Sequence, residues 1–414
     1  MAINTSRPIK HYQTQLLEAF EGFLSRTREL KDPASAFAES TLLGFGHALP
    51  YLPLRGLDAV PYVCLRVPTG GGKTRLAGLS IKPVNEVFLS VEQSLIVWLV
   101  PSEPIREQTL FSLKTKGELL HQDLCDLFGK VHVLDIEEAL SVQPTTLNTA
   151  NTIIVATMQS FKRDTTDGLR VYRQNGMGMA HFEGLPPELR GEHSLVDVIR
   201  LRRPYVIVDE AHNQGTPLAV DTLSRLHPSC ILELTATPDR ASQPSNVLRS
   251  VSAATLQAED MLKLPLELAI HPEWRVSLTE AIARLRQLEK EVEEEHRATG
   301  EEISPVVMLI QAERKAQERE TFTPERIKRH LIEDFHIPTA SIAIATGSVD
   351  ELTGKKLGDP DYPQFIITVD KLREGWDCPN AYVLFSFRNT TSATAVEQVL
   401  GRVLRMPHVT RKRQ

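Results

Sequence analysis

The stretch Val67-Pro68-Thr69-Gly70-Gly71-Gly72-Lys73-Thr74 constrains this chain more than any other. Three consecutive glycines let the backbone turn tightly and bring its N–H groups against an anion without Cβ clashes. The Lys-Thr ending adds one ammonium for phosphate oxygens and one hydroxyl for Mg²⁺. Such a turn wraps a triphosphate only when a strand leads in and a helix leads out. Both are expected: Val60 to Val67 is an apolar run closing on Pro-Thr-Gly, and Arg75 to Ser80 opens a helical pattern. A phosphate site of this kind also needs carboxylates. They follow as Asp209-Glu210-Ala211-His212, directly after the apolar run Tyr205 to Val208. Asp209 suits Mg²⁺, and Glu210 can orient and deprotonate an attacking water. Taken alone, an acidic pair at a strand end describes a solvated turn equally well.

The rest of the first half repeats one theme. Ser94 to Val100, Thr152 to Thr157, Tyr205 to Asp209 and Ile231 to Thr235 are apolar runs bounded by turn residues, with helical patterns between them. That alternation predicts an α/β fold with a parallel sheet covered on both faces. Residues 8–30 read as an amphipathic lead-in helix carrying Leu16, Leu17, Phe20 and Phe23 on one face. The stretch 162–203, with Asp-Gly, Asn-Gly and Pro-Pro signals, reads as a long surface excursion. A charged helix is expected over 275–296, and then strands over 305–310, 341–346, 364–369 and 381–387. The predicted organisation is two α/β domains, 1–250 and 251–414.

The bulk numbers fit a globular chain with two cores: 414 residues, 41% hydrophobic and 24% charged. A net charge of −6 does not advertise a polyanion partner, yet a groove along a phosphate backbone needs only local positive charge. The four scattered cysteines contain no Cys-x-x-Cys pair, which argues against a zinc site or disulfide framework and fits a reducing compartment. No signal-peptide core and no membrane-length apolar run are seen, so a cytoplasmic protein with no membrane partner is expected.

Other candidates are weaker on their own. Thr235-Ala236-Thr237-Pro238 could couple the acidic motif to its domain or simply end a strand. Arg402 and Arg405 share a helix face and could meet a γ-phosphate, or form a solvated basic helix end together with Arg411, Lys412 and Arg413. His212 has no metal-ligand partner at i+4, which argues against a zincin-type site.

In order, Pro68 to Thr74, Asp209 to His212, Thr235 to Pro238, Leu372-Arg373-Glu374-Gly375-Trp376-Asp377-Cys378-Pro379-Asn380 and Gln398 to Arg405 resemble the motifs of superfamily 2 helicases and translocases. Within them the chain is similar to the DEAH-box group nearest the restriction subunit of type III enzymes, from about Tyr12 to Arg405. The resemblance implies two tandem RecA-like domains, each a mostly parallel sheet with helices on both faces, with ATP and Mg²⁺ between them and nucleic acid across the top. It implies ATP contacts at Gln13, Thr69, Gly70, Gly71, Gly72, Lys73, Thr74, Asp209, Gly375 and Asp377, with Mg²⁺ at Thr74 and Asp209. Gln15 is the alternative to Gln13 as the adenine reader. Catalytic roles fall to Glu210, Gln398, Arg402 and Arg405. Nucleic-acid contacts fall to Pro101, Ser102, Gln108, Thr157 and Gln159. Departures from the pattern are Val67 for a glycine, and Glu103, Glu374 and Val399 where arginine is common.

The expected activity is therefore a nucleic-acid-dependent ATPase that translocates or unwinds, on DNA ahead of RNA, with a modification or nuclease subunit as a further partner. The alternative is the motor part of a type III-like restriction or defence endonuclease whose nuclease domain lies elsewhere. A scaffold using ATP only as a structural ligand is disfavoured by the intact Lys73, Asp209, Glu210, Arg402 and Arg405.

Overall fold

The apolar runs of the first half become neighbouring strands. The computed structural model describes residues 5, 8–161, 169–186, 191–210, 217–239, 244–259, 261, 263, 267, 269, 271–300, 305–314, 321–346, 349–352, 355, 359, 361–369, 378, 380–388 and 403. The chain divides into two compact units, Met1–Thr255 and Leu256–Gln414. In the first, β1 (Tyr62–Arg66), β2 (Leu95–Val100), β3 (Val131–Leu134), β4 (Asn151–Thr157), β5 (Tyr205–Asp209), β6 (Cys230–Thr235) and β7 (Val247–Ser250) form a sheet in the order β3-β4-β2-β5-β6-β1-β7. Every ladder in it is parallel. Strands β2, β4, β5 and β6 are buried along their whole length. Burial on both faces is why β2 and β5 read as near-continuous apolar runs rather than alternating ones, while β4 and β6 carry the buried polar residues Asn151, Thr152 and Glu233.

The lead-in helix forms as α1 (His11–Leu30) and buries Leu16, Leu17, Phe20 and Phe23. It packs on α2 (Pro33–Phe45), started by Asp32, whose carboxylate accepts from the N–H groups of Ala34 and Ser35. Helix α3 (Lys73–Leu79) begins directly at the motif lysine, after Gly72.

The second unit is again parallel: β8 (Val307–Gln311), β9 (Ile342–Ile344), β10 (Phe365–Thr368) and β11 (Ala381–Ser386) lie in the order β11-β8-β10-β9. Met308, Ile310, Ile342, Phe365 and Ile367 form one core with the helices Trp274–Thr299 and Pro324–Glu333. The long charged helix buries only Leu278, Ile282 and Leu285, one stripe of an otherwise polar rod. Two parallel α/β units thus bear out the expected fold class. Among the described residues, no helix is long and apolar enough to cross a membrane. All four cysteines are free thiols.

The structure differs from the sequence reading in two places. Strands β3 and β7 were not expected. They are four-residue edge strands whose short apolar stretches are interrupted by polar residues, His132 in Val-His-Val-Leu and Arg249 in Val-Leu-Arg-Ser. The second concerns 162–203, read as a surface excursion. Its described parts place Val171, Phe182, Leu195, Val196, Val198 and Ile199 in the same core as β2, β4 and β5. Ser194 caps the helix Leu195–Arg202 through the N–H of Asp197. The turn signals mark the irregular backbone around Val171 and Phe182 correctly, but they hide the short helical pattern of Leu195, Val196, Val198 and Ile199. Residues 162–168 and 187–190 lie outside the described set.

One contact anchors α3. Arg75 makes a forked pair with Asp123 on the helix Leu119–Phe128, at 2.7 Å from Nε and 3.1 Å from Nη2. The Asp123 side chain is 0% exposed. Removing the guanidinium strands a buried carboxylate, so Arg75→Ala should cost about 3–5 kcal/mol in urea unfolding. An unchanged midpoint would show that the pair does not hold this helix.

Candidate phosphate-binding site

Strand order creates the site. Asp209 ends β5 opposite Leu234 of β6, and Thr235 ends β6 opposite Arg66 of β1. Beyond the strands, the Glu210 N–H donates to the Leu234 carbonyl at 2.8 Å and the Val67 N–H to the Thr235 carbonyl at 2.9 Å. The acidic pair and the glycine turn therefore leave one sheet edge with a single strand between them. This is the carboxyl end of a parallel sheet, where open α/β folds place ligands.

The turn itself needs glycine. Gly70 and Gly72 have φ of 87° and 70°, a region costly for side chains, and the Gly71 N–H closes the turn on the Pro68 carbonyl at 3.0 Å. Helix α1 supports it from outside: the Tyr12 hydroxyl donates to the Gly71 carbonyl at 2.9 Å. Gln13 is 2% exposed, and a Cβ at Gly72 would lie 2.6 Å from its Nε2. Its Oε1 accepts from the Lys10 N–H at 3.3 Å. Gln15 instead lies exposed beside His11, at 3.0 Å. Of the two candidates, Gln13 is the one at the turn. Thr69 is buried, and Thr74 is half-buried in the first turn of α3.

Lys73 and Glu210 meet. The Lys73 Nζ lies 2.7 Å from the Glu210 Oε1 and 3.4 Å from the Val67 carbonyl, with both side chains largely buried. Glu210 adopts φ of 55°, the left-handed region that a β-carbon makes costly. Strain of that kind persists where surrounding bonds hold it, here the N–H bond to Leu234. Asp209 beside it is 4% exposed. An ammonium, two carboxylates, a hydroxyl at Thr74 and a glycine turn with little room for a Cβ form a donor set suited to phosphates and a hard divalent cation.

The remaining candidates sort by position. Thr157 ends β4 opposite Val100 of β2, so Pro101, Ser102 and Thr157 lie along the same sheet edge. The Ser102 Oγ is buried and makes no hydrogen bond among the described residues, although Ser102 occupies the cap position of the helix Glu103–Lys114. Glu103 pairs with Arg106 at 2.6 Å. Thr157 and Ser160 join hydroxyls at 3.1 Å, while Gln108 and Gln159 are exposed. Gly375, Asp377, Gln398, Arg402, Arg405, Ala211 and His212 lie outside the described residues.

This chain matches the family described as type III restriction enzyme, res subunit, over residues 8–240, more than half its length. No curated protein matches it. Among solved structures it is similar to the ATP-dependent Type ISP restriction-modification enzyme LlaBIII bound to DNA, at 14% identity and a TM-score of 0.50. That match covers 97% of this chain and 27% of the other. Others are the DEAD-box helicase Mss116 bound to ssRNA and UDP-BeF, at 14% identity, 83% and 64% coverage and a TM-score of 0.43, and the Pyrococcus furiosus Hef helicase domain, at 13% identity, 84% and 91% coverage and a TM-score of 0.43. The chain thus spans about a quarter of the first of these and under two thirds of the second.

Sequence reasoning passed over one charged group under the site. Glu233 sits inside β6, 4% exposed, and takes hydrogen bonds from the Tyr62 hydroxyl at 2.6 Å and the Ser245 hydroxyl at 2.9 Å. Ser245 also accepts from the Asp239 N–H at 3.2 Å, and the Arg66 Nε donates to the Ala236 carbonyl at 3.1 Å. The Thr-Ala-Thr-Pro segment is thereby tied to β1. A lone glutamate in Cys-Ile-Leu-Glu-Leu-Thr was the available signal. Burial pushes its carboxyl pKa up, against the two hydroxyl bonds that favour the anion. A raised folded pKa contributes stability at acid pH that is lost as pH climbs through it. The stability of the wild type relative to Glu233→Gln should fall with rising pH, by up to about 1.4 kcal/mol per unit, starting from the ordinary glutamate range. Parallel stability curves for the two proteins would contradict this.

Proposed function

This chain belongs to the family of type III restriction enzyme res subunits, and from that membership we propose that it is a nucleic-acid-dependent ATPase acting as a helicase or translocase motor. The observation that carries the reading is the Lys73–Glu210 pair at 2.7 Å, beside Asp209 and under the glycine turn. Nothing in the packing of a parallel sheet requires an ammonium and two carboxylates at strand ends one strand apart. A triphosphate needs all three.

In this reading Gly70, Gly71 and Gly72 form the phosphate cradle, and Gln13 reads the base. Gly70 and Gly72 offer their N–H groups, while Gly71, whose N–H closes the turn on Pro68, leaves room for the phosphates. Lys73 binds the β- and γ-phosphates, and Thr74 and Asp209 would hold Mg²⁺, which draws charge off the phosphates. Phosphate oxygens compete with Glu210 for the Lys73 ammonium. Once released, the Glu210 carboxylate orients a water in line and accepts its proton. Arg402 and Arg405 supply the γ-phosphate contact, assisted by Gln398, while Gly375 and Asp377 complete the nucleotide contacts. Residues 1–250 form the ATP-binding RecA-like domain and 251–414 the second one. Pro101, Ser102, Gln108, Thr157 and Gln159 contact nucleic acid, DNA ahead of RNA. The family's description favours a second reading of the same motor, serving a restriction assembly with a nuclease or modification partner.

Lys73→Ala should abolish ATP turnover, and Glu210→Gln should lower it roughly 10²–10⁴-fold. Turnover persisting at wild-type rate in either variant would remove the assignment. Arg405→Ala should keep ATP affinity and lose roughly 10³-fold or more in turnover. Matching losses in affinity and turnover would make Arg405 a structural residue. The substrate question is settled by turnover with single-stranded DNA, duplex DNA and RNA side by side at one stated salt concentration.

A further inference from the structure

Three aromatic rings meet at one corner of the second unit, and the reading above uses none of them. Phe322 and Phe387 stack at 4.3 Å with 19° between their planes. Trp274 sets its ring edgewise to Phe322 at 5.1 Å and tilts on Phe387 at 5.6 Å, with His330 5.0 Å away. The chain brings these residues together from distant places, and strand ends fix them. The Phe387 N–H donates to the Gln311 carbonyl at 3.0 Å, and the Glu313 N–H to the Phe322 carbonyl at 2.9 Å. The corner therefore sits at the carboxyl ends of β8 and β11, the ligand-bearing end of a parallel sheet.

Two cations lie on the rings. The guanidinium of Arg275 is 4.5 Å from the Trp274 ring centre, and that of Arg326 is 4.6 Å from the Phe322 ring centre. All three rings are half-buried, and the Arg275 side chain is 61% exposed. Asp334 engages Arg275 at 3.5 Å and His330 at 2.9 Å. An aromatic corner that only closed a core would gain most from excluding such groups. A ligand both flat and anionic uses the whole arrangement, with its plane on the rings and guanidinium faces and its charge on their N–H edges. Unpaired nucleotides are flat and anionic, whereas a duplex hides its base faces in its own stack.

We propose that Trp274, Phe322 and Phe387, with Arg275 and Arg326, form a stacking platform for an unpaired base of single-stranded nucleic acid, the two arginines taking the adjoining phosphates. The inference rests on the proposed nucleic-acid-dependent activity and adds a contact site in the second unit.

The test uses the full chain and a fluorescein-labelled oligothymidylate, with anisotropy titrations across a salt series and a duplex of equal length alongside. The Arg275→Gln/Arg326→Gln variant should bind the single strand about tenfold more weakly. Its salt slope should be shallower by about 1.4, for two lost phosphate contacts. Trp274→Leu should lose about tenfold in affinity with its slope unchanged. It should also lose the tryptophan quenching that the single strand produces in the wild type. Duplex affinity and ATP-analogue affinity should stay put in both. Wild-type binding by the arginine variant, or equal losses on duplex, would overturn the platform. Because that variant changes one exposed and one half-buried polar side chain and leaves the rings in place, misfolding of Trp274→Leu would not shield the proposal. Wild-type protein that turns over ATP but binds no single strand would sink the platform alone. Wild-type protein without turnover, whose single-strand binding is still lost in the variants, would sink the ATPase reading alone.

Discussion

The contact on which the first unit's chemistry depends is the Lys73–Glu210 pair, and strand order makes it. Lys73 follows β1 and Glu210 follows β5, and each of these strands pairs with β6. Residues far apart in the chain thus emerge from one edge a single strand apart. Burial favours the pairing of β6 with both: β5 and β6 are buried along their whole length and find cover only inside the sheet. The charged site is a consequence of where apolar residues had to go.

That edge is stiffened on every side. Tyr12 and Gln13 from α1 press on the glycine turn, the Arg75–Asp123 pair holds the start of α3, and Arg66 and Glu233 hold the Thr-Ala-Thr-Pro segment. A phosphate cradle works through backbone N–H groups, which cannot adjust as side chains do, so its supports matter as much as its ligands. The strained φ of Glu210 belongs with these supports, since only a bonded surrounding keeps a β-carbon-bearing residue there. The second unit repeats the design with other chemistry, its sheet end carrying rings and guanidiniums instead of a glycine turn.

Much of this was legible in the residues. Continuous apolar runs gave the inner strands nearly to their ends, since Tyr205–Asp209 coincides with β5 and Ser94 to Val100 differs from β2 by one residue. Strands β3 and β7 escaped because each is four residues long and interrupted by a polar residue, His132 or Arg249. The stretch 162–203 misled because its turn signals outweigh the apolar pattern of the short helix Leu195–Arg202, while Val171 and Phe182 follow no helix or strand period.

What the sequence determined by itself was chemistry and class: a glycine turn that can bend round phosphate, carboxylates after a buried strand, and alternation that demands parallel sheets. Those are local properties, set by residue type and by neighbours within a few positions. What only the tertiary structure decided was adjacency. That Gln13 rather than Gln15 faces the turn, that Glu233 is a buried carboxyl bound by Tyr62 and Ser245, and that Trp274, Phe322 and Phe387 share a corner all depend on strand order and helix rotation. Order and rotation are chosen by burial summed over a whole unit, and no single motif carries that sum.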